Sequence, residues 1–120
     1  MPNKPATIRA IDLFAGVGGS SSGADSAGIK VVAAVDYWPL ARETYVANFP
    51  DVTFFQTRCE DVRIDELKTS LGEVDLLIAS PECTSHTCAK GKAPRSEKSR
   101  RTAFQVIRFA RAFKAALDCR

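Results

Sequence analysis

No apolar run in the 120-residue chain approaches the roughly 18 residues that a membrane-spanning helix needs, and no secretory-type leader opens it. Both absences point to a cytoplasmic protein without membrane contact whose thiols stay reduced. The four cysteines, Cys59, Cys83, Cys88 and Cys119, include no Cys-x2-Cys pair. Cys83, His86 and Cys88 lie close together, but no fourth ligand accompanies them and no metal is expected. Charge of one sign is also scarce: 17 Lys and Arg against 14 Asp and Glu leave +3, too weak a bias to imply a nucleic-acid partner by itself. There is no internal repeat, and 120 residues close one modest core without room for a second module.

What is present alternates between two periods. Residues 7–14 form a short apolar run that ends in glycines, as a buried parallel strand entering a turn should. Residues 20–27 are small and polar and read as a helix stopped by Gly28. A strand follows over 30–35, ending at Asp36, and Pro39 opens a helix to about Asn48 with Leu40, Ala41, Thr44, Tyr45 and Ala47 facing inward. Residues 52–55 make a third strand, a short helix carries Ile64, Leu67, Lys68 and Leu71, and 74–79 is the clearest strand. A polar loop spans 80–99, and helix period returns over 100–117, with Ala103, Val106, Ile107, Ala110, Phe113 and Leu117 on one side and Arg101, Arg108, Arg111 and Lys114 largely on the other. Such alternation implies an α/β fold: a mostly parallel sheet covered on both faces, with ligands gathering at the carboxyl ends of the strands.

The segments with chemistry fall at those ends. Gly16, Gly18 and Gly19 let a turn come close to a ligand. Asp36, twenty residues after Gly16, is placed to bind ribose hydroxyls of a dinucleotide or of another adenosine cofactor, and spacing alone does not choose between them. Cys83 stands in Ser80-Pro81-Glu82-Cys83-Thr84, just past the clearest strand. Six basic residues (Lys90, Lys92, Arg95, Lys98, Arg100, Arg101) and one acid, Glu97, follow within residues 90–101, where a polyanion could dock. Trp38 reads either as a site residue or as a core aromatic, and Asp61 as a site residue, a helix cap, or both. His86 fits an incidental loop residue better than a general base.

The turn Asp12-Leu13-Phe14-Ala15-Gly16-Val17-Gly18-Gly19, together with Pro81 and Cys83, resembles the N-terminal part of the catalytic domain of DNA cytosine-5 methyltransferases. That resemblance implies a Rossmann-like fold binding S-adenosyl-L-methionine, with Phe14 against the adenine and Ala15, Gly16 and Gly18 lining the methionine part. It implies further that Asp36 holds the ribose hydroxyls, Trp38 packs on the adenine, Asp61 and Val62 recognise its amino edge, and Tyr37 and Pro81 belong to the cofactor-binding set. Cys83 would be the nucleophile on cytosine, with Ser85, Lys90, Lys92, Arg95 and Arg101 meeting DNA, in an enzyme of DNA methylation or restriction-modification. Where the family has Pro-Pro-Cys-Gln, this chain has Glu82 for the second proline and Thr84 for the glutamine; a carboxylate beside a thiol by itself raises the thiol pKa.

Arg-Thr-x-x-Gln-x-x-Arg-Phe from Arg101 to Phe109 is similar to the family's helix after the catalytic loop. The family's Glu-Asn-Val segment, target-recognition region and closing segment match no residue here. The expectation is therefore residues 1–120 as the N-terminal part of the domain, with a fold incomplete at the C-terminal end. The chain would be a truncated form, or one half of a split enzyme served by a complementary C-terminal subunit. The same motifs fit a tRNA cytosine-5 methyltransferase of this fold or a noncatalytic cofactor-binding remnant.

Overall fold

The computed structural model describes residues 7–80 and 97–119. Five strands, β1 (Arg9–Leu13), β2 (Lys30–Asp36), β3 (Thr53–Gln56), β4 (Leu76–Ala79) and β5 (Ala116–Cys119), form one sheet in the order β3-β2-β1-β4-β5. Every pairing is parallel. Four helices cross over between them: α1 (Gly19–Ser26), α2 (Pro39–Asn48), α3 (Ile64–Leu71) and α4 (Glu97–Phe113), with a single 3-10 turn at Cys59–Asp61. Parallel strands require such crossovers, and the order switches direction at β1, so the carboxyl ends of β1, β2 and β4 border one crevice.

The strands are apolar almost throughout because both faces are covered. Ile11 and Leu13 of β1 join Val35, Leu77 and Ala79 in a core packed against Ile64 and Leu67 of α3 and Val106, Phe109 and Phe113 of α4. The alternate residues face α1 and α2: Ala10 packs with Ala24, Val31 and Ile78, and Ala34 with Ala15 and Tyr45. An extra residue in β2, opposite the Ala10 to Ile11 step, shifts the register there. At the amino end of the sheet the Arg9 guanidinium donates to the carbonyls of Leu71 (2.6 Å) and Glu73 (3.0 Å), satisfying one acceptor in the last turn of α3 and one just beyond it.

The structure moves several boundaries. The last helix starts earlier and ends at Phe113, and residues 116–119 are a fifth strand beside β4 rather than its continuation. Lys114 at φ 52° makes the break. The inward stripe of α4 is Val106, Phe109 and Phe113, while Ala103 and Ile107 are exposed; Arg108, expected on the wet side, is half-buried. On α2 only Ala41 and Tyr45 are buried, and Leu40, Thr44 and Ala47 face solvent. A ten-residue helix needs only a narrow stripe when Tyr45, packed with Phe49 and Phe54, fills the space over Ala34. Trp38 is 52% exposed and so is not a core aromatic. Asp61 does not cap α3, whose N-cap is Arg63 without a side-chain bond.

Gly18 is buried at φ +103°, and a Cβ there would lie 2.6 Å from Phe49 Cε2 and 3.1 Å from Tyr45 Cδ2. Gly16 at φ +55° has open space at the same position. Gly16→Ala should therefore cost only the left-handed backbone penalty, roughly 1–2 kcal/mol. Gly18→Ala adds overpacking and should cost about 3 kcal/mol or more, a difference that urea unfolding of the two variants will read.

Candidate active site

The turn after β1 and the turn after β2 are joined through one carboxylate. Asp36 Oδ2 accepts the Gly16 N–H at 2.8 Å, and Asp36 Oδ1 accepts the Trp38 N–H at 2.9 Å. The Ala15 N–H donates to the Val35 carbonyl at 3.1 Å, extending the ladder past the strand. Each carboxylate oxygen still has acceptor capacity, since an ionised carboxylate has about four lone-pair sites. Of the seven large hydrophobic side chains exposed among the described residues, three (Val17, Tyr37 and Trp38) stand on these two turns and a fourth, Leu40, follows in the first turn of α2. Apolar side chains gathered beside hydrogen-bonding backbone are what an aromatic ligand base requires.

The third turn, after β3, packs beneath them. Thr57 N–H donates to the Asp36 carbonyl at 3.1 Å, and the Arg58 guanidinium lies over the Tyr37 ring at 5.2 Å. Cys59 is buried against the backbone of Phe14, and burial pushes its thiol up to about 12, so it stays protonated and inert at neutral pH. Arg108 Nη2 donates to the Cys59 carbonyl at 2.7 Å and Nε to Gln105 Oε1 at 2.8 Å, tying α4 to this turn. Asp61 is exposed on the 3-10 turn; Val62 is half-buried against the core and also lines a shallow groove with Arg63, Ile64 and Arg108 between α3 and α4.

A buried polar chain supports the whole arrangement. The Tyr45 hydroxyl donates to Ser21 Oγ (2.6 Å), since Ser21 spends its own proton on Asp12 Oδ2 (2.6 Å). Asp12, Ser21 and Tyr45 are all fully buried, and Asp12 Oδ1 has no protein partner. Desolvation raises the Asp12 pKa to about 6, with the Asp36 charge adding and the Ser21 bond opposing. None of this was read from the sequence beyond Asp12 opening the glycine motif and Tyr45 facing inward; the available signal was an acid in the middle of an apolar strand.

Ser80 directly follows β4: its N–H meets the Leu13 carbonyl at 3.3 Å, and its hydroxyl meets that of Ser20 at 2.8 Å. The structure thus brings Phe14, Ala15, Gly16, Gly18, Asp36, Tyr37 and Trp38 to adjoining turns, with Asp61 and Val62 on the next one along. Arg101 is exposed near the start of α4. Pro81, Cys83, Ser85, His86, Cys88, Lys90, Lys92 and Arg95 lie outside the described residues. Among the described residues no group of three or more His, Cys, Asp or Glu is placed to hold a metal, and no helix is long and apolar enough to cross a membrane.

A parallel sheet of this order, with a glycine turn after β1 and an acid ending β2, is a Rossmann-like fold, and the solved structures it resembles are S-adenosylmethionine-dependent methyltransferases. The family model for C-5 cytosine-specific DNA methylase matches residues 8–117. The chain belongs to that family. It is 38% identical over 88 residues to Type II methyltransferase M1.HphI of Haemophilus parahaemolyticus, covering 72% of this chain and 23% of that one. To M.HgiGI of Herpetosiphon aurantiacus it is 41% identical over 83 residues, covering 68% and 64%. A crystal structure of a prophage-encoded E. coli protein, titled as a DNA modification methyltransferase, superposes with a TM-score of 0.76 at 25% identity over 91% of this chain and 30% of that one. The S. pombe Dnmt2 methyltransferase shares the fold, with a TM-score of 0.65 at 18% identity over 95% of this chain and 35% of that one. The chain thus spans less than two thirds of the length of these relatives.

The Asp12 shift sets a pH dependence with a definite sign. A carboxyl that titrates at about 6 when folded and near 3.8 when unfolded contributes stability below the lower value and loses it as pH rises through the higher one. Relative to Asp12→Asn, the native protein should lose about 3 kcal/mol of unfolding free energy across that window. Urea unfolding of both proteins over the pH series measures it, and parallel curves would refute the assignment.

Proposed function

We propose that this chain is the cofactor-binding and nucleophile-bearing part of a DNA cytosine-5 methyltransferase, taking its methyl group from S-adenosyl-L-methionine. The observation that carries the reading is the Asp36 carboxylate, which holds the Gly16 and Trp38 backbones on adjoining turns at the carboxyl edge of the sheet. The residues present fit the cofactor. Gly16 faces open space, Asp36 retains acceptor capacity for ribose hydroxyls, and Tyr37 and Trp38 offer exposed rings for the adenine. Phe14 and Ala15 complete the turn, Gly18 shapes it by packing on Phe49, Asp61 and Val62 are assigned to the adenine edge, and Pro81 is assigned to the cofactor-binding set. The α1 helix begins at Gly19 without a side-chain cap, so its first N–H groups remain for an anionic group of the ligand.

When bound, S-adenosylmethionine supplies an electrophilic methyl group. The Cys83 thiolate adds to C6 of an extruded cytosine, which makes C5 nucleophilic toward that methyl; loss of the C5 proton then expels the thiolate. Cys59 is no rival for this role, because burial keeps it neutral. Ser85, Lys90, Lys92, Arg95 and Arg101 are assigned to the DNA backbone, where cations replace condensed counterions. The cytosine-activating glutamate and the elements that read a target sequence match no residue here. Catalysis is therefore proposed to need them from a longer polypeptide or from a complementary C-terminal subunit.

Calorimetric titration with S-adenosylmethionine should show binding that weakens roughly tenfold or more in Asp36→Ala, the scale of hydrogen bonds to a charged group. A properly folded chain that does not bind would end this reading. With the missing elements supplied, 5-fluorocytosine in DNA should trap a covalent adduct that Cys83→Ser abolishes, and trapping on tRNA in place of DNA would reassign the substrate.

A further inference from the structure

Tyr45 reaches the glycine turn from beneath by two separate contacts. The side chain is fully buried, so it meets the turn from the protein side only. Its hydroxyl donates to Ser21 Oγ at 2.6 Å, in the first turn of α1. Its ring packs with Ala15 over Ala34 and lies 4.9 Å from the Phe49 ring, and these two rings fill the space where a Cβ on Gly18 would stand. Both contacts bear on the start of α1. The rings fix Gly18, whose carbonyl accepts the Ser22 N–H at 2.8 Å and so begins the helix, while the hydroxyl fixes Ser21. Burial pushes the Tyr45 hydroxyl up to about 12, so it keeps its proton and goes on donating at neutral pH.

S-adenosylmethionine carries one carboxylate, at its amino-acid end. The Asp36 carboxylate repels an anion from the turn after β2, whereas the N–H groups that open α1 have no side-chain cap and attract one. Hydrogen bonds to a carboxylate weaken steeply as distance and angle depart from the optimum, so the aim of those N–H groups matters, and the two anchors from Tyr45 set it. We propose that Tyr45 is a positioning residue for the amino-acid end of S-adenosylmethionine, acting through Ser21 and Gly18. The proposal rests on the reading of the glycine turn as the cofactor site.

The test is calorimetric titration of wild type and Tyr45→Phe with two ligands, S-adenosylmethionine and 5′-methylthioadenosine, which keeps the adenosine and the sulfur but lacks the amino-acid end. Tyr45→Phe keeps the ring and removes only the hydroxyl. It is expected to weaken S-adenosylmethionine roughly three- to tenfold, the worth of one hydrogen bond, and to leave 5′-methylthioadenosine essentially unchanged. Amide hydrogen exchange of the free protein gives a second readout. The Ser22 amide should exchange faster in Tyr45→Phe relative to the amides of β1, because the first turn of α1 is released without opening the sheet. Wild-type affinity for S-adenosylmethionine in the variant, equal weakening of both ligands, or a Ser22 amide that merely follows β1 overturns the positioning role alone. Wild type that binds neither ligand overturns the cofactor reading, and the proposal with it.

Discussion

Burial of the Asp12 carboxylate in the central strand is the constraint on which the rest of the architecture depends. β1 lies between β2 and β4, so a side chain at Asp12 has no route to solvent and must find its partners in the helices laid over that face. Ser21 provides one bond and recruits Tyr45 to provide the next, which locks α1 and α2 to the same point of the sheet. Tyr45 is then packed by Phe49 and Phe54, with ring centroids 4.9 and 5.1 Å away. Phe49 in turn occupies the space that any side chain at residue 18 would need. The glycine turn owes its shape to this buried polar chain as much as to its own backbone freedom.

The opposite face solves a similar problem with a cation. Arg108 crosses from α4 to the carbonyl of Cys59, giving a partner to a backbone acceptor in the turn below Phe14. Cys59 sits between these groups as a small buried hydrophobe. The turns at the strand ends are thus held from both layers, by hydroxyls from α1 and α2 on one side and a guanidinium from α4 on the other. Tyr37 and Trp38 stay exposed on the turns because other side chains do the holding.

Much of the fold was legible because its signals are local. A run such as that of β4 between turn residues, or Pro39 at the first position of α2, carries its assignment in a few neighbouring residues. The end of α4 was misread for the same reason: apolar residues continue through Ala115 to Leu117, and nothing local distinguishes another helical turn from a buried strand. Only pairing with β4 decides it. Arg108 went astray because a stripe read from Ala103 and Ile107 is rotated relative to the one that Phe109 anchors, and the anchor is chosen by the sheet.

By itself the sequence determined the family, the alternating architecture, and the residue types of the glycine turn, Asp36 and Cys83, since each of these is written in contiguous residues whose chemistry is constrained by type. The tertiary structure alone decided who holds whom: that Asp36 spans two turns, that Asp12 rests on Ser21 and Tyr45, and that Ser20 finds Ser80. The physical reason is range. A hydrogen bond forms only when donor and acceptor come within about 3 Å, and for residues twenty to sixty positions apart the packing of strands and helices sets that distance, with no periodicity in the chain to announce it.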